Sequence, residues 1–186
     1  MKKAVALVLL AVILCGCGSK NAELEHAMAF RAKLLAADGC AFDAQITADY
    51  GDSTHEFSVS CTCDEKGNVT FTVCQPESIS GITGTLSADG GKLTFDDTAV
   101  AFPLLADGQL TPVSAPWILM KTLRGGYVVS CGDEGELLQI SVDDSYADDA
   151  MNLDIWLDEN DAPIRAEILY KQKRILSLDI NNFRIL

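Results

Sequence analysis

The chain has 186 residues, of which 48% are hydrophobic, and its 27 acidic residues outnumber 14 basic ones to give a formal charge of −13. This length suits one domain that buries a substantial core. The acidic balance argues against nucleic acid or anionic lipid headgroups as partners, because both require a basic patch.

The first residues predict an export signal. Lys2 and Lys3 are followed by an uninterrupted apolar run over 4–14, which is the composition of a secretory signal core. The run is too short to span a bilayer, which takes about 20 apolar residues. We therefore expect a cleaved segment rather than a transmembrane helix.

The end of this run resembles a bacterial lipobox. In the stretch Leu14-Cys15-Gly16-Cys17, Gly16 supplies the small side chain that signal peptidases favour beside the cut, whereas Leu14 before Cys15 does not. We predict a lipoprotein signal peptide over 1–16 and acylation of Cys17. The resemblance implies at least two acyl chains such as palmitate, and two chains suffice for stable anchoring.

The rest of the chain is predicted to form a lipidated N-terminus with a short tether over 17–21 and a single domain over 22–186. Loss of the signal removes Lys2 and Lys3, so the mature protein is more acidic still. We expect it on the extracytoplasmic face of a cell membrane.

The domain is predicted to begin with an amphipathic helix. Asn21 can cap a helix that runs to about Asp38, and Gly39 can end it. The apolar side predicted for this helix consists of Leu24, Ala27, Met28, Leu34 and Leu35.

After Gly39 the hydrophobic period changes from 3.6 to 2, which predicts β-strands. In CAFDAQITADY every second residue from Cys40 is apolar or cysteine, and in HEFSVSCTC the same holds from Phe57 onward, with His55 on the same face, as in a strand with one wet face. The turn DEKGN leads into VTFTV, and the turns ADGG and DENDAP separate later strands. The predicted strands cover 40–50, 55–63, 69–73, 82–87, 92–96, 98–102, 127–131, 136–142, 151–157, 163–170 and 173–180.

One short helix interrupts the strands. Ser114 can cap it, Pro116 suits its first turn, and Gly125 and Gly126 can end it. The fold class is therefore α+β. Consecutive hairpins indicate an antiparallel sheet, and about eleven strands with one apolar face must curl or split. We predict that the sheet curls into a strongly curved half-barrel covered by the N-terminal helix and the short central helix.

This arrangement resembles the LolA, LolB and LppX superfamily of bacterial lipoprotein carriers and lipid-binding lipoproteins. The segments that carry the resemblance are AFRAKLLAADGCAFDAQITADY, CQPESISGITGTLSADGGKLTFDD and LDENDAPIRAEILYKQKRILSLDINNF. The resemblance implies a curved antiparallel sheet whose concave side is plugged by helices. Because LolA itself has no lipid anchor, the anchored members are the nearer comparison.

Two functions follow from the resemblance. The first is binding of a lipid, an acyl chain or another hydrophobic ligand in a cavity of the curved sheet. The alternative is a protein-interaction or regulatory lipoprotein of the cell envelope, for example of the spore germination type, whose core is filled. The candidate cavity residues are Phe42, Ile46, Phe57, Val59, Phe71, Trp117, Leu119, Met120 and Leu123.

Five cysteines remain in the body of the domain, an odd number that prevents complete internal pairing. Cys61 and Cys63 are expected on the apolar face of one predicted strand. Cys40 is expected on the apolar face of the preceding strand. Small buried hydrophobes are the favoured interpretation. A disulfide from Cys40 to Cys61 or Cys63 is the main alternative, and a metal or redox site stays open behind it.

No signature of an enzyme is found. A nucleophile system needs a base positioned by a third group, and the two histidines, His26 and His55, lie near no G-x-S-x-G turn. The Asp-rich turns lack the ligand spacing of a calcium loop. We predict a non-enzymatic protein without a metal or other cofactor, and rank a hydrolase last.

Overall fold

The computed structural model describes residues 19–95, 98–102, 105–106, 109–148 and 150–186. The predicted signal peptide and Cys17 lie outside the described residues. Helix α1 spans Ser19–Ala36 and helix α2 spans Ala115–Gly125. The strands are β1 (Gly39–Asp49), β2 (Thr54–Asp64), β3 (Val69–Gln75), β4 (Thr83–Ser87), β5 (Gly90–Phe95), β6 (Thr98–Phe102), β7 (Leu105–Ala106), β8 (Gln109–Leu110), β9 (Tyr127–Glu134), β10 (Leu137–Asp143), β11 (Met151–Leu157), β12 (Pro163–Tyr170) and β13 (Lys173–Ile185).

Eleven of these strands form one curved, unclosed antiparallel sheet, which confirms the predicted fold class. The strand order is β6-β5-β4-β3-β2-β1-β13-β12-β11-β10-β9. The chain moves outward from β1 to one edge at β6, reaches the other edge at β9 after α2, and returns inward until β13 pairs with β1. The first and last strands are therefore neighbours at the centre.

The two helices lie on the buried inner face of the sheet, and their main contacts are with one part of it. Helix α1 packs against β9 and β10, while α2 packs against β10, β12 and β13. Phe30 of α1 also contacts Phe183 of β13, with ring centroids 6.4 Å apart. Toward the other end of the sheet Leu86 of β4 is still fully buried, whereas Phe95 of β5 and Val100 of β6 are each 58% exposed.

The strand periodicity predicted the buried face correctly. In β1, Cys40, Phe42, Ala44, Ile46 and Ala48 are all at most 2% exposed. In β2 the alternate residues from Phe57 to Cys63 are buried as predicted, and His55 lies exposed at the strand end.

The predicted apolar side of α1 is wrong in part. The side chains that pack on the sheet are Ala27, Phe30 and Leu34. Leu24, Met28 and Leu35 face solvent, with exposures of 43%, 47% and 48%. The helix is apolar on two sides, so periodicity alone did not determine which side faces the sheet.

Several element ends also differ from the sequence prediction. Helix α1 already includes Ser19, so Asn21 is not its cap. Ser114 precedes α2 as predicted, but its hydroxyl donates to the carbonyl of Thr111 at 2.6 Å and does not cap the helix. Strand β13 continues to Ile185 because its last residues pair with the start of β1, where Cys40 faces Ile185.

Glycine at position 84 lets the ring of Phe71 lie across β4. Phe71 of β3 faces Gly84 of β4 directly. A Cβ added at Gly84 would lie 2.5 Å from the ring of Phe71, far inside contact distance. The absence of a side chain at this position therefore makes room for a fully buried phenylalanine.

Replacing Gly84 by alanine should lower the free energy of unfolding by about 1–3 kcal/mol, since the ring would have to leave its rotamer. Gly132→Ala in β9 is the matched control, because a Cβ there meets no atom within 4 Å. The control should be neutral or stabilising by up to about 1 kcal/mol. Urea unfolding of both variants is the measurement, and equal losses would contradict the packing argument.

Candidate functional site

The predicted acylation site, Cys17, lies two residues before the described residues, which start with α1 at Ser19. In the described residues no helix has the length and hydropathy needed to cross a bilayer. Membrane attachment of this chain therefore stays a prediction from the sequence.

The residues nominated for a ligand cavity lie together in the core. Eight of them are buried, and Trp117 packs half-buried against the same cluster. Helix α2 contributes Leu119, Met120 and Leu123, each at most 4% exposed, and α1 adds Phe30 and Leu34 at 1%. These side chains occupy the space that a ligand would need, so the inner face under the helices is filled.

Three pockets lined by described residues open at the surface. One of about 460 Å³ lies between the β2–β3 turn and α2, lined in part by Lys66, Lys121 and Arg124. Of the nominated cavity residues only Trp117 lines it. A second pocket, of about 490 Å³, is lined by polar loop residues around Asp143 and Lys171.

A third pocket lies at the uncovered end of the sheet and is apolar. It has a volume of about 510 Å³. Its lining residues, which we call the open-end patch, are Ile82, Leu93, Phe95, Thr98 and Val100. Strand register places Leu93 opposite Val100 and Phe95 opposite Thr98, so β5 and β6 direct these side chains to one face. Phe95 and Val100 are each 58% exposed.

Strand β6 adds a second feature to the open-end patch. It is the last strand in the sheet order and pairs only with β5 among the described strands. An edge strand presents backbone N–H and C=O groups that can pair with another extended chain. Sequence analysis identified β6 as a strand but missed the patch. The sequence pattern does not indicate which part of the inner sheet face the helices pack against.

The cysteines nominated for a disulfide lie on β1 and β2. Cys40 and Cys63 are directly opposite each other, and Cys61 is opposite Phe42. All three are buried free thiols. The hydrogen bond between Cys40 and Cys63 raises the pKa of Cys40 and lowers the pKa of Cys63, while burial raises the pKa of Cys61. The alternative disulfide stays a prediction, with Cys63 as the better placed partner of Cys40.

The two histidines have separate, local roles. His26 of α1 donates to Asp161 in the β11–β12 turn, which also accepts from Lys33, and these two hydrogen bonds lower the pKa of Asp161. His55 lies beside Tyr50, with ring centroids 6.3 Å apart. The expectation that the chain is not an enzyme stays a prediction.

The Asp-rich turns are organised by backbone hydrogen bonds. Asp158 accepts from the N–H groups of Asn160 and Ala162 at 2.8 and 2.9 Å. Asp144 accepts from the N–H of Met151 at 2.9 Å. Within the described residues no group of three or more His, Cys, Asp or Glu side chains is arranged to hold a metal ion.

Arg124 at the end of α2 joins three elements, which sequence analysis did not foresee. Its guanidinium donates to the carbonyls of Leu34 in α1 and Glu65 in the β2–β3 turn, at 3.1 and 2.6 Å. Arg31 of α1 in turn donates to the carbonyl of Arg124 at 2.8 Å. These hydrogen bonds hold both helices over the filled half of the sheet.

Comparison with known proteins gives matches in structure but not in sequence. No family model and no curated protein matches the chain. The likeness is confined to the fold. A LolA superfamily protein from Nitrosomonas europaea matches 86% of this chain and 93% of its own, at 10% identity and a TM-score of 0.45.

Two further solved structures show the same degree of likeness. An outer-membrane lipoprotein-sorting protein domain from Vibrio parahaemolyticus matches 87% of this chain and 91% of its own, at 10% identity and a TM-score of 0.48. The lipoprotein LppX of Mycobacterium tuberculosis matches 87% and 93%, at 10% identity and a TM-score of 0.41. Each of these proteins is similar to the chain in its path, at low sequence identity.

Proposed function

We propose that the chain is an envelope lipoprotein, anchored through Cys17, that binds another protein at the open-end patch and has no catalytic role. The observation that carries the proposal is a contrast along the inner face. Side chains of α1 and α2 are buried on most of it, whereas Phe95 and Val100 at the β5–β6 end remain more than half exposed.

The chemistry of the partner follows from the patch and the charge of the chain. An extended segment can add a strand to the free side of β6 and place alternate apolar side chains in the pocket beside it. The formal charge of −13 favours association with a basic partner. We therefore infer that the bound segment is extended, alternately apolar and rich in lysine or arginine.

Photo-crosslinking in cells that carry the anchored full-length protein tests this proposal. A photoreactive amino acid at Thr98 should crosslink a discrete protein. Val100→Lys should reduce the yield at least about tenfold, because it places a charge on the edge strand and in the apolar pocket. Thr85→Lys is the matched control, since Thr85 is exposed between the buried Gly84 and Leu86 and so faces the other side of the sheet.

The proposal predicts no loss of crosslinking in the Thr85→Lys protein and no specific product when the photoreactive group is placed at position 85. Equal yields at positions 98 and 85, or a yield that Val100→Lys leaves unchanged, would refute binding at the open-end patch.

Binding of a lipid inside the sheet is the competing function. It requires the buried side chains of α2 to leave the inner face, since Leu119, Met120 and Leu123 lie where the ligand would be. Organic extraction of the purified protein followed by mass spectrometry distinguishes the two functions. A stoichiometric non-covalent acyl ligand would support lipid binding, and its absence would support the interaction function.

A further inference from the structure

Three sulfur-containing side chains pack where β1, β2 and α2 meet. Cys40 and Cys63 face each other across the two strands, and the thiol of Cys63 donates to the carbonyl of Asp64 at 3.5 Å. The thiol of Cys40 also lies 3.8 Å from the thioether of Met120. All three residues are at most 1% exposed. Burial accounts for three apolar side chains here, but it does not require them to bring their sulfurs together.

The spacing of the Cys40 and Met120 sulfurs suits a metal ion. Metal–sulfur bonds of about 2.3 Å separate two sulfur ligands by roughly 3.8–4.0 Å in tetrahedral or trigonal geometry. The distance of 3.8 Å between Cys40 and Met120 lies within that range. The sulfurs come from two adjacent strands and a packed helix, so the surrounding core holds their arrangement.

The type of ligand selects the ion. Thiolate and thioether sulfur are soft ligands and favour Cu(I), whereas calcium and magnesium require oxygen. Structural zinc sites use four nitrogen, sulfur or oxygen ligands. His26 is hydrogen-bonded to Asp161, and His55 lies beside Tyr50. Both histidines are thus away from the three sulfurs.

Charge also fits a monovalent ion. Two thiolates with one Cu(I) carry a net negative charge, and the guanidinium of Arg124 lies close enough to act electrostatically on both Cys40 and Cys63.

We propose that Cys40, Cys63 and Met120 form a binding site for Cu(I), separate from the open-end patch. On binding, the two thiols release their protons to solvent and form two copper–sulfur bonds, the thioether of Met120 donates a third, and the oxidation state of copper does not change. A disulfide between Cys40 and Cys63 would use the same sulfurs, so copper binding requires the reduced protein.

The test uses the full-length protein in detergent, reduced and handled without oxygen, with a thiol count before metal is added. Cu(I), supplied as its acetonitrile complex, is competed with the chelator bicinchoninate. The wild type should retain one equivalent, and X-ray absorption should show three sulfur neighbours. Cys63→Ala should abolish retention of that equivalent.

Met120→Leu is the decisive variant because it nearly conserves volume and should leave the fold intact. It should weaken retention of Cu(I) at least about tenfold, since loss of a group that only supports a metal ligand already costs about 10–100-fold in affinity. It should also reduce the number of sulfur neighbours of the copper from three to two. Cys74→Ser, at an exposed position in β3, should behave as wild type.

Stability gives a second readout that a purely structural role would not produce. Ligands that bind only the folded state raise the melting temperature, so Cu(I) should raise that of the wild type and of Cys74→Ser more than that of Met120→Leu. No retained equivalent in the reduced wild type, or retention and coordination that Met120→Leu leaves unchanged, would overturn the proposal.

Discussion

Cys17→Ala should abolish incorporation of palmitate into the protein. The expectation rests on Gly16, which makes the bond before Cys17 the suitable cut, and on the apolar run over 4–14 that precedes it. Each buried methylene of an acyl chain contributes about 0.8 kcal/mol to membrane binding, so two chains anchor the protein and their loss should release it. Metabolic labelling with an alkyne analogue of palmitate, followed by cell fractionation, measures both effects.

Cys15→Ala is the matched control for this experiment. It lies two residues away within the same segment, and it should retain full labelling and membrane association because we assign it to the discarded signal. Labelling that persists in Cys17→Ala, or that is lost in Cys15→Ala, would show that the wrong cysteine had been assigned.

The strands could be predicted because their information is local. Alternation in CAFDAQITADY places Phe42, Ile46 and the other alternate residues on one face, independently of the rest of the chain. The eleven strands of the sheet, and the buried side of β1 and β2, followed from that alternation. The two-residue strands β7 and β8 carry no such period, and the sequence analysis missed them.

The side of α1 that meets the sheet could not be predicted because the helix offers two apolar stripes. Leu24, Met28 and Leu35 are as hydrophobic as Phe30 and Leu34, yet they face solvent. The choice depends on long-range contacts, such as the bonds of His26 and Lys33 to Asp161. No sequence pattern around His26, Lys33 or Asp161 predicts these contacts.

The same limit applies to the candidate sites. The sequence placed Cys61 and Cys63 on one strand face, but Met120 reaches Cys40 only because α2 crosses the inner face of the sheet. The open-end patch likewise depends on where that coverage stops. Both sites therefore depend on where the helices lie, and Arg124 links α2 to α1 and to the β2–β3 turn by hydrogen bonds.

Arg124→Met should lower the free energy of unfolding by about 3 kcal/mol. Hydrogen bonds from charged donors contribute about 1.5–3 kcal/mol each, and Arg124 makes two, to the carbonyls of Leu34 and Glu65. Its partial exposure places the expectation at the low end of their sum, which is about 3–6 kcal/mol. Methionine retains much of the apolar stem, so the loss reports the hydrogen bonds rather than a cavity. Urea unfolding measures the effect.

Lys121→Met on the same helix is the control, since Lys121 is 45% exposed and lies 3.6 Å from Asp144. Exposed ion pairs of this kind contribute about 0–1 kcal/mol, so the control should change little. Arg124→Lys should recover part of the loss, because an ammonium can reach one of the two carbonyls but not both. If Arg124→Met and Lys121→Met were equally stable, the two helices would be held by core packing alone, and the coverage that leaves the open-end patch exposed would need another cause.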